Sequence, residues 1–132
     1  MFLIDSSTWI EYLRPSGSAK IKARIRRILE SEEAVTCGIV VVEILRGART
    51  EKDYRLLRDS LLSLPGIPIN REVIERASRW GFQLDRKGSQ VPTTDLIIAS
   101  CAYKTARLVH ADKDFEIIAS IGEIDQENLR RA

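Results

Sequence analysis

The chain has 132 residues, of which 44% are hydrophobic and 30% are charged, and its formal net charge is +2. This length and composition exclude a disordered or fibrous protein and predict one globular domain with a sizeable core. The slight positive charge permits a polyanionic partner such as nucleic acid but does not require one.

The cysteines and the N-terminal residues indicate the cellular compartment in which the protein is expected. Cys37 and Cys101 lie far apart in sequence, in apolar runs without metal-site spacing, and are predicted to be buried free thiols in a reducing cytosol. The first apolar run stops at Asp5, unlike a signal peptide, and no stretch approaches the roughly 20 apolar residues of a membrane span. We therefore expect a cytoplasmic protein without a membrane partner.

Apolar periodicity and turn residues predict that strands and helices alternate along the chain. The first strand, Phe2 to Ile4, ends at Asp5, and Ser6 or Ser7 is predicted to cap a short helix. Further helices are predicted near residues 18–31, 39–48, 51–64, 71–86, 96–104 and from 113 to about 120, and further strands near 34–37, 67–69, 107–111 and 121–124. This alternation predicts an α/β fold with a mostly parallel central sheet of four to five strands and helices on both faces.

The stretch 39–48 carries two conflicting signals. Ile39-Val40-Val41-Val42 is β-branched and typical of a strand, whereas Arg46 followed by Gly47 is typical of a helix end. We interpret the stretch as a helix because Thr36 and Gly38 supply a stop and a start.

Four acids stand where a carboxylate is costly or specifically placed. Asp5 and Asp112 follow predicted strands, at the strand ends where open α/β sheets bind ligands. Glu43 interrupts an apolar run, and Asp95 lies in the first turn of a helix that is apolar nearly all round.

Each acid also has a purely structural explanation when taken alone. Glu43 has Arg46 three residues on, and Asp112 with Asp114 can cap the helix that follows. Together, however, the acids would repel one another, by about 4 kcal/mol for two carboxylates about 4 Å apart at an effective dielectric constant near 20. A cation removes that repulsion, and oxygen-only ligands suit Mg²⁺ or Mn²⁺ rather than zinc.

Four segments resemble a PIN domain, and among PIN domains the VapC toxins of prokaryotic toxin–antitoxin pairs. They are Ile4-Asp5-Ser6-Ser7-Thr8-Trp9-Ile10, Val42-Glu43-Ile44-Leu45-Arg46-Gly47, Thr94-Asp95-Leu96-Ile97-Ile98-Ala99 and Leu108-Val109-His110-Ala111-Asp112-Lys113-Asp114-Phe115. The resemblance runs from Phe2 to about Ile121 and implies a single PIN domain over residues 1–132, folded as a three-layer sandwich. It also favours the helical interpretation of residues 39–48.

The resemblance implies a set of site residues. Four acids would be catalytic and would hold one or two Mg²⁺ (or Mn²⁺) ions: Asp5, Glu43, Asp95 and Asp112. Two further residues would support them: Ser7 by orienting Asp5, and Asp114 directly or through water. Two more are candidates for support from their own place in the sequence: Thr94 beside Asp95, and Arg46, which could touch phosphate or neutralise Glu43.

His110 departs from the family pattern, because threonine or serine usually occupies its position. It is predicted to be a packed, hydrogen-bonded residue, with a supporting contact to the site or a titratable role beside the metal as alternatives. The tail, residues 123–132, matches no known motif.

The function that the resemblance implies is a Mg²⁺- or Mn²⁺-dependent endoribonuclease in which an activated water attacks the phosphodiester. A VapC-type toxin would bind a cognate VapB-type antitoxin and form a homodimer. Two surfaces are candidates for macromolecular contact, each with an ordinary structural alternative. Lys20, Arg24 and Arg27 share a helix face that could guide RNA or simply be solvated, and Trp9, Tyr12 and Leu13 could meet the antitoxin or belong to the core.

Other classes remain as alternatives. One is a PIN nuclease that acts in RNA processing or on DNA, and another is a non-catalytic metal- or RNA-binding module, against which the four intact acids count. Receiver-type signalling domains also collect acids at strand ends, but they leave Glu43 unexplained. Phosphatases with a D-x-D nucleophile are excluded because Ser7 stands where the second aspartate would be.

Overall fold

The computed structural model describes residues 1–131, and for Arg131 the backbone alone. The strands are β1 (Phe2–Ile4), β2 (Ala34–Cys37), β3 (Gly66–Ile67), β4 (Arg107–His110) and β5 (Gln126–Asn128). The helices are α1 (Ser6–Leu13), α2 (Ala19–Glu30), α3 (Gly38–Leu45), α4 (Glu51–Leu62), α5 (Arg71–Arg86), α6 (Thr93–Ala102) and α7 (Lys113–Gly122), and a 3₁₀ turn follows at Leu129–Arg131.

The five strands form one sheet in the order β3-β2-β1-β4-β5, and every neighbouring pair is parallel. The chain moves outward from β1 to β3 and then returns to place β4 on the other side of β1. Because crossovers between parallel strands are right-handed, this reversal sends helices to both faces of the sheet. The predicted α/β sandwich is therefore confirmed, with a wholly parallel sheet. The reversal also makes the gap between the carboxyl ends of β1 and β4 the place where a ligand crevice is expected.

The two central strands form the most deeply buried layer. Four of their aliphatic side chains have no solvent exposure: Leu3, Ile4, Leu108 and Val109. Burial of an aliphatic side chain of this size contributes about 1.5–3 kcal/mol, so these strands hold their carboxyl ends firmly in place. Cys37 and Cys101 are buried free thiols, as predicted. Within residues 1–131, no helix has the length and apolar character that a membrane crossing requires.

The stretch 39–48, whose sequence signals conflict, contains most of the helix α3. Its interpretation as a helix is therefore confirmed. Its β-branched residues do not prevent the helix, because Val40 and Val41 are packed in the core and tertiary packing outweighs the small difference in propensity.

Two local predictions are wrong. The helix α1 is capped by Asp5, whose side chain accepts the backbone N–H of Ser7, and not by Ser6 or Ser7. Residues 121–124 do not form the predicted strand: the first two are the last residues of α7, and Glu123 caps that helix in the left-handed region (φ 51°). The fifth strand comes later, at Gln126–Asn128, and its polar residues carry no strand signal.

Candidate active site

Asp5 is held at the end of β1 by Ser7. One carboxylate oxygen, Oδ2, accepts the backbone N–H of Ser7 at 3.0 Å and also the Ser7 hydroxyl. The same hydroxyl oxygen accepts the backbone N–H of Ala111 at 3.0 Å, which ties the end of β1 to the segment after β4. The other oxygen of Asp5, Oδ1, is buried and has no hydrogen-bond partner among the described residues.

Three further carboxylates gather around one point. Asp112 caps α7, and its Oδ1 accepts the backbone N–H of Asp114 at 2.9 Å. Asp95 lies in the first turn of α6 and is 8% exposed. One carboxylate oxygen from each of Asp95, Asp112 and Asp114 lies within 4.8 Å of the others, which is a spacing that a single cation could bridge.

The backbone explains why these acids converge. Asp5 and Asp112 cap α1 and α7, and Asp95 lies in the first turn of α6. Three helix N-termini therefore point toward the same crevice, where their dipoles favour negative charge. A pair of strand ends and three helix ends thus define one acidic site.

Glu43 enters the same site from α3. Its Oε1 accepts the hydroxyl of Ser6 at 3.0 Å, and the side chain is half-buried. Ser6 was not singled out from the sequence as a partner of Glu43. Its only sequence signal is its place next to Asp5 in the first turn of α1. Arg46 is exposed, and within residues 1–131 it forms no ion pair with Glu43. Burial raises the pKa of Glu43, and the charge of Arg46 opposes that rise only weakly.

The pKa of Asp95 shows that all five acids share one electrostatic environment. Burial, which is the largest cause, and the charges of Asp5, Asp112, Asp114 and Glu43, in that order of importance, together raise this pKa to about 7. The pKa values of Asp5, Glu43 and Asp114 are also raised, each mainly by burial. Hydrogen bonds from Ser7 and Ser6 oppose the shift at Asp5 and Glu43 respectively.

The donor set fits a hard divalent cation. None of Asp5, Asp95, Asp112 or Asp114 forms an ion pair with a lysine or arginine among the residues that the structure describes. Within residues 1–131 the Oδ1 of Asp5 is buried without a partner, and burial together with neighbouring carboxylates raises the pKa of Asp95, so the negative charge of these acids is not compensated by ion pairs. Carboxylate oxygens alone are the ligands that suit Mg²⁺ or Mn²⁺.

The three α2 residues that are candidates for RNA contact are not equivalent. Lys20 and Arg27 are exposed. Arg24 instead makes two hydrogen bonds of 2.9 Å to the carboxylate of Glu127 and lies over the ring of Phe2 at 5.3 Å. Its guanidinium is thus occupied within the fold, which argues against its predicted role in binding RNA.

The three candidate antitoxin contacts that follow Asp5 are also divided between core and surface. Trp9 is 6% exposed and packs edge-to-face against Tyr12, with ring centroids 5.9 Å apart. Trp9 is therefore a core residue, which was the alternative to antitoxin contact. Tyr12 is half-buried and Leu13 is 43% exposed, so these two can still reach a partner.

The fold and this acidic crevice together define a class. The family model for the PIN domain matches residues 2–121, and the chain therefore belongs to the PIN domain family. Two curated relatives place it more closely: "VapC ribonuclease Mb1587" of Mycobacterium bovis and "Ribonuclease VapC11" of Mycobacterium tuberculosis. Each is 32% identical to this chain over 135 residues, which cover 98% of this chain and 100% of the relative. At this identity and coverage the chain is a PIN domain of the VapC type.

Solved structures show the same fold at lower sequence identity. FitAcB from Neisseria gonorrhoeae has a TM-score of 0.77 and 19% identity, with 97% of each chain covered. VapBC2 from Rickettsia felis, solved bound to a DNA fragment from its promoter, has the same TM-score and identity, with 96% of this chain and 97% of that chain covered.

Proposed function

We propose that this protein is a Mg²⁺- or Mn²⁺-dependent endoribonuclease and the toxin of a VapBC-type toxin–antitoxin pair. Asp5, Glu43, Asp95 and Asp112 would hold one or two ions, with Asp114 as a direct or water-mediated ligand. The curated relatives are named ribonucleases and are matched over their whole length, which supports the same activity here.

One observation carries the proposal: the group of carboxylates at the switch point of the sheet. Asp95, Asp112 and Asp114 come within 4.8 Å of one another, and the charge of Asp5, which has an unpartnered buried oxygen, acts on Asp95. Such a cluster is unfavourable without a cation. When bound, a divalent ion lowers the pKa of water and stabilises charge on the phosphodiester oxygens.

The chain's own residues position that chemistry. Ser7 holds Oδ2 of Asp5 by two hydrogen bonds and leaves Oδ1 free to act as a ligand. Ser6 holds Glu43, and the turn at Asp112 holds Asp114. Thr94 is exposed next to Asp95 at the start of α6, where its hydroxyl can contact substrate.

Substitution of Asp5 tests the activity. Asp5→Asn should abolish cleavage of RNA while the protein stays folded, because the amide keeps its size but loses its charge. Asp59→Asn is the matched control, since Asp59 is exposed on α4 and away from the strand ends. Retained cleavage by Asp5→Asn, or undiminished cleavage by the wild-type protein in excess EDTA, would contradict the proposal.

Expression in cells tests the toxin assignment. We infer a cytoplasmic toxin that is held inactive by a VapB-type antitoxin and forms a homodimer. The solved neighbours include complexes described as toxin–antitoxin systems, which supports a partner of this kind. Expression should arrest growth, and a small co-encoded protein should relieve the arrest. A PIN nuclease of RNA processing would cleave RNA in vitro but would not give this pattern.

A further inference from the structure

His110 is completely buried in β4, two residues before Asp112. Its ring packs against Phe115 with centroids 4.9 Å apart. Nδ1 of the ring accepts the backbone N–H of Asp112 at 3.2 Å. The histidine therefore holds the backbone of an acid in the site, while its other ring nitrogen contacts Gln126 of β5.

The acceptor role of Nδ1 fixes the direction of the hydrogen bond at the second ring nitrogen, Nε2. Because Nδ1 accepts, the ring proton lies on Nε2, which donates to Oε1 of Gln126 at 2.6 Å. The amide nitrogen of Gln126 then donates to Oε2 of Glu116 at 3.3 Å. Each polar group in this path has a partner of the correct kind, so the histidine tautomer and the amide orientation are both determined by the network.

The path joins the edge strand to the acidic site. Gln126 lies in β5, which pairs with β4 in parallel, and His110 pairs with Asn128 in that ladder. The position of the Asp112 backbone in turn sets its Oδ1, which accepts the N–H of Asp114. A displacement of Gln126 is thus passed on through two hydrogen bonds to the turn that carries two carboxylates.

We propose that His110 and Gln126 are positioning residues for the metal site, and that β5 sets the geometry of Asp112 and Asp114 through them. This inference rests on the proposed function, since it concerns the same site. It assigns a role to the polar strand β5, whose sequence carries no family motif. Among the described residues, neither His110 nor Gln126 forms a hydrogen bond to the carboxylate of Asp112 or Asp114, so both act through the backbone of Asp112.

Titration with Mn²⁺ tests the inference without reference to cleavage. Groups that orient metal ligands contribute roughly 10- to 100-fold to metal affinity. Gln126→Leu, which keeps the size but removes the acceptor, should weaken Mn²⁺ binding about tenfold in calorimetry. His110→Ala should do the same, and His110→Asn should recover only part of the affinity, because its amide oxygen can replace Nδ1 as the acceptor but no group then takes the place of Nε2 beside Gln126.

A second substitution in the same strand separates this path from simple loosening of β5. Glu127 lies between Gln126 and Asn128, but its carboxylate binds Arg24 and not His110. Glu127→Leu should therefore leave Mn²⁺ affinity within about twofold of the wild-type value, below any effect expected of ligand orientation. Hydrogen exchange at the Asp112 amide should be faster in Gln126→Leu and unchanged in Glu127→Leu.

The outcomes are distinguishable. Normal Mn²⁺ affinity in Gln126→Leu, or equal losses in Gln126→Leu and Glu127→Leu, overturns the inference and leaves the proposed function in place. Failure of the wild-type protein to bind Mn²⁺ overturns both. If His110→Ala does not fold, the half-buried Gln126 still decides the question, because its substitution leaves the core intact.

Discussion

The hydroxyl oxygen of Ser7 accepts the backbone N–H of Ala111 at 3.0 Å while its proton is donated to Asp5. One small side chain therefore joins the ends of the two central strands and orients an acid at the same time. A hydroxyl is the smallest group that can donate and accept at once, which explains why this position needs serine or threonine.

Ser7→Ala should reduce stability. The change leaves the N–H of Ala111 without its partner, and an unsatisfied buried donor costs about 1–3 kcal/mol. We expect a loss of that size in the free energy of unfolding measured with urea. Ser7→Thr keeps the hydroxyl and should recover most of it. An unchanged urea midpoint for Ser7→Ala would show that solvent replaces the hydroxyl.

The metal-free protein should lose stability as the pH rises from about 4 to about 7. The pKa of Asp95 is raised from 3.8 to about 7, so in this window the folded protein binds more protons than the unfolded chain. Stability then falls with increasing pH, by an upper bound of about 4 kcal/mol for this one group. Asp5, Glu43 and Asp114 contribute with the same sign.

Urea unfolding at several pH values in EDTA measures this effect. Asp95→Asn should remove much of the pH dependence and should be more stable than the wild-type protein at pH 7. Saturating Mn²⁺ should also flatten the dependence for the wild-type protein, because the ion binds the ionised folded form. Identical pH profiles for wild type and Asp95→Asn in EDTA would exclude Asp95 as the source.

Ser6→Ala should impair cleavage with little effect on stability. Ser6 is half-buried and its hydroxyl holds Glu43 at 3.0 Å, so its loss frees the carboxylate to turn away. We expect kcat/KM to fall roughly tenfold, as for other groups that orient a metal ligand. In a Glu43→Gln background the same change should have almost no further effect. Additive losses would show that Ser6 acts independently of Glu43.

Arg24→Ala should weaken the attachment of β5. The guanidinium forms a bidentate pair with Glu127, and the two side chains are only 27% and 25% exposed. We expect a loss of about 1 kcal/mol in unfolding free energy, at the upper end for a partly exposed pair. Arg26→Ala, at an exposed position of the same helix, is the control and should be neutral.

Lys20 and Arg27 should carry any RNA contact that α2 makes. Both are exposed, so their removal should leave stability unchanged. For each charge that contacts phosphate, the slope of log K against log salt should decrease by about 0.7 on single-stranded RNA. The measurement is binding to an inactive Asp5→Asn protein at several salt concentrations. Unchanged slopes would identify this face as simply solvated.

The site's main acids are predictable because sheet geometry is regular. Asp5 and Asp112 each follow an apolar run, and strand ends in a parallel sheet meet at one edge. Asp95 and Glu43 stand out because a charge in an apolar helix is costly. These features depend on local sequence and on a general rule of topology, so the sequence is enough to predict that the four acids lie together.

The partners of those acids are not predictable in the same way. Ser6 and Glu43 are 37 residues apart, and His110 and Gln126 are 16 apart. Whether such pairs meet depends on rotamers and on the exact strand register. The strand β5 is not predictable for a related reason: its residues Gln126 to Asn128 are polar, and it is held by the ladder to β4 and by side chains from other elements.

The position of β1 has a consequence for synthesis. Phe2–Ile4 pairs on one side with β2 and on the other with β4, so the central strand must wait for Arg107–Val109 to emerge from the ribosome. Contacts this distant in sequence form late. Asp112 and Asp114 follow that last strand, and an incomplete nascent chain therefore has no assembled acidic crevice. Under the proposed function, the ribosome that makes this protein is exposed to its activity only once almost the whole domain has been translated.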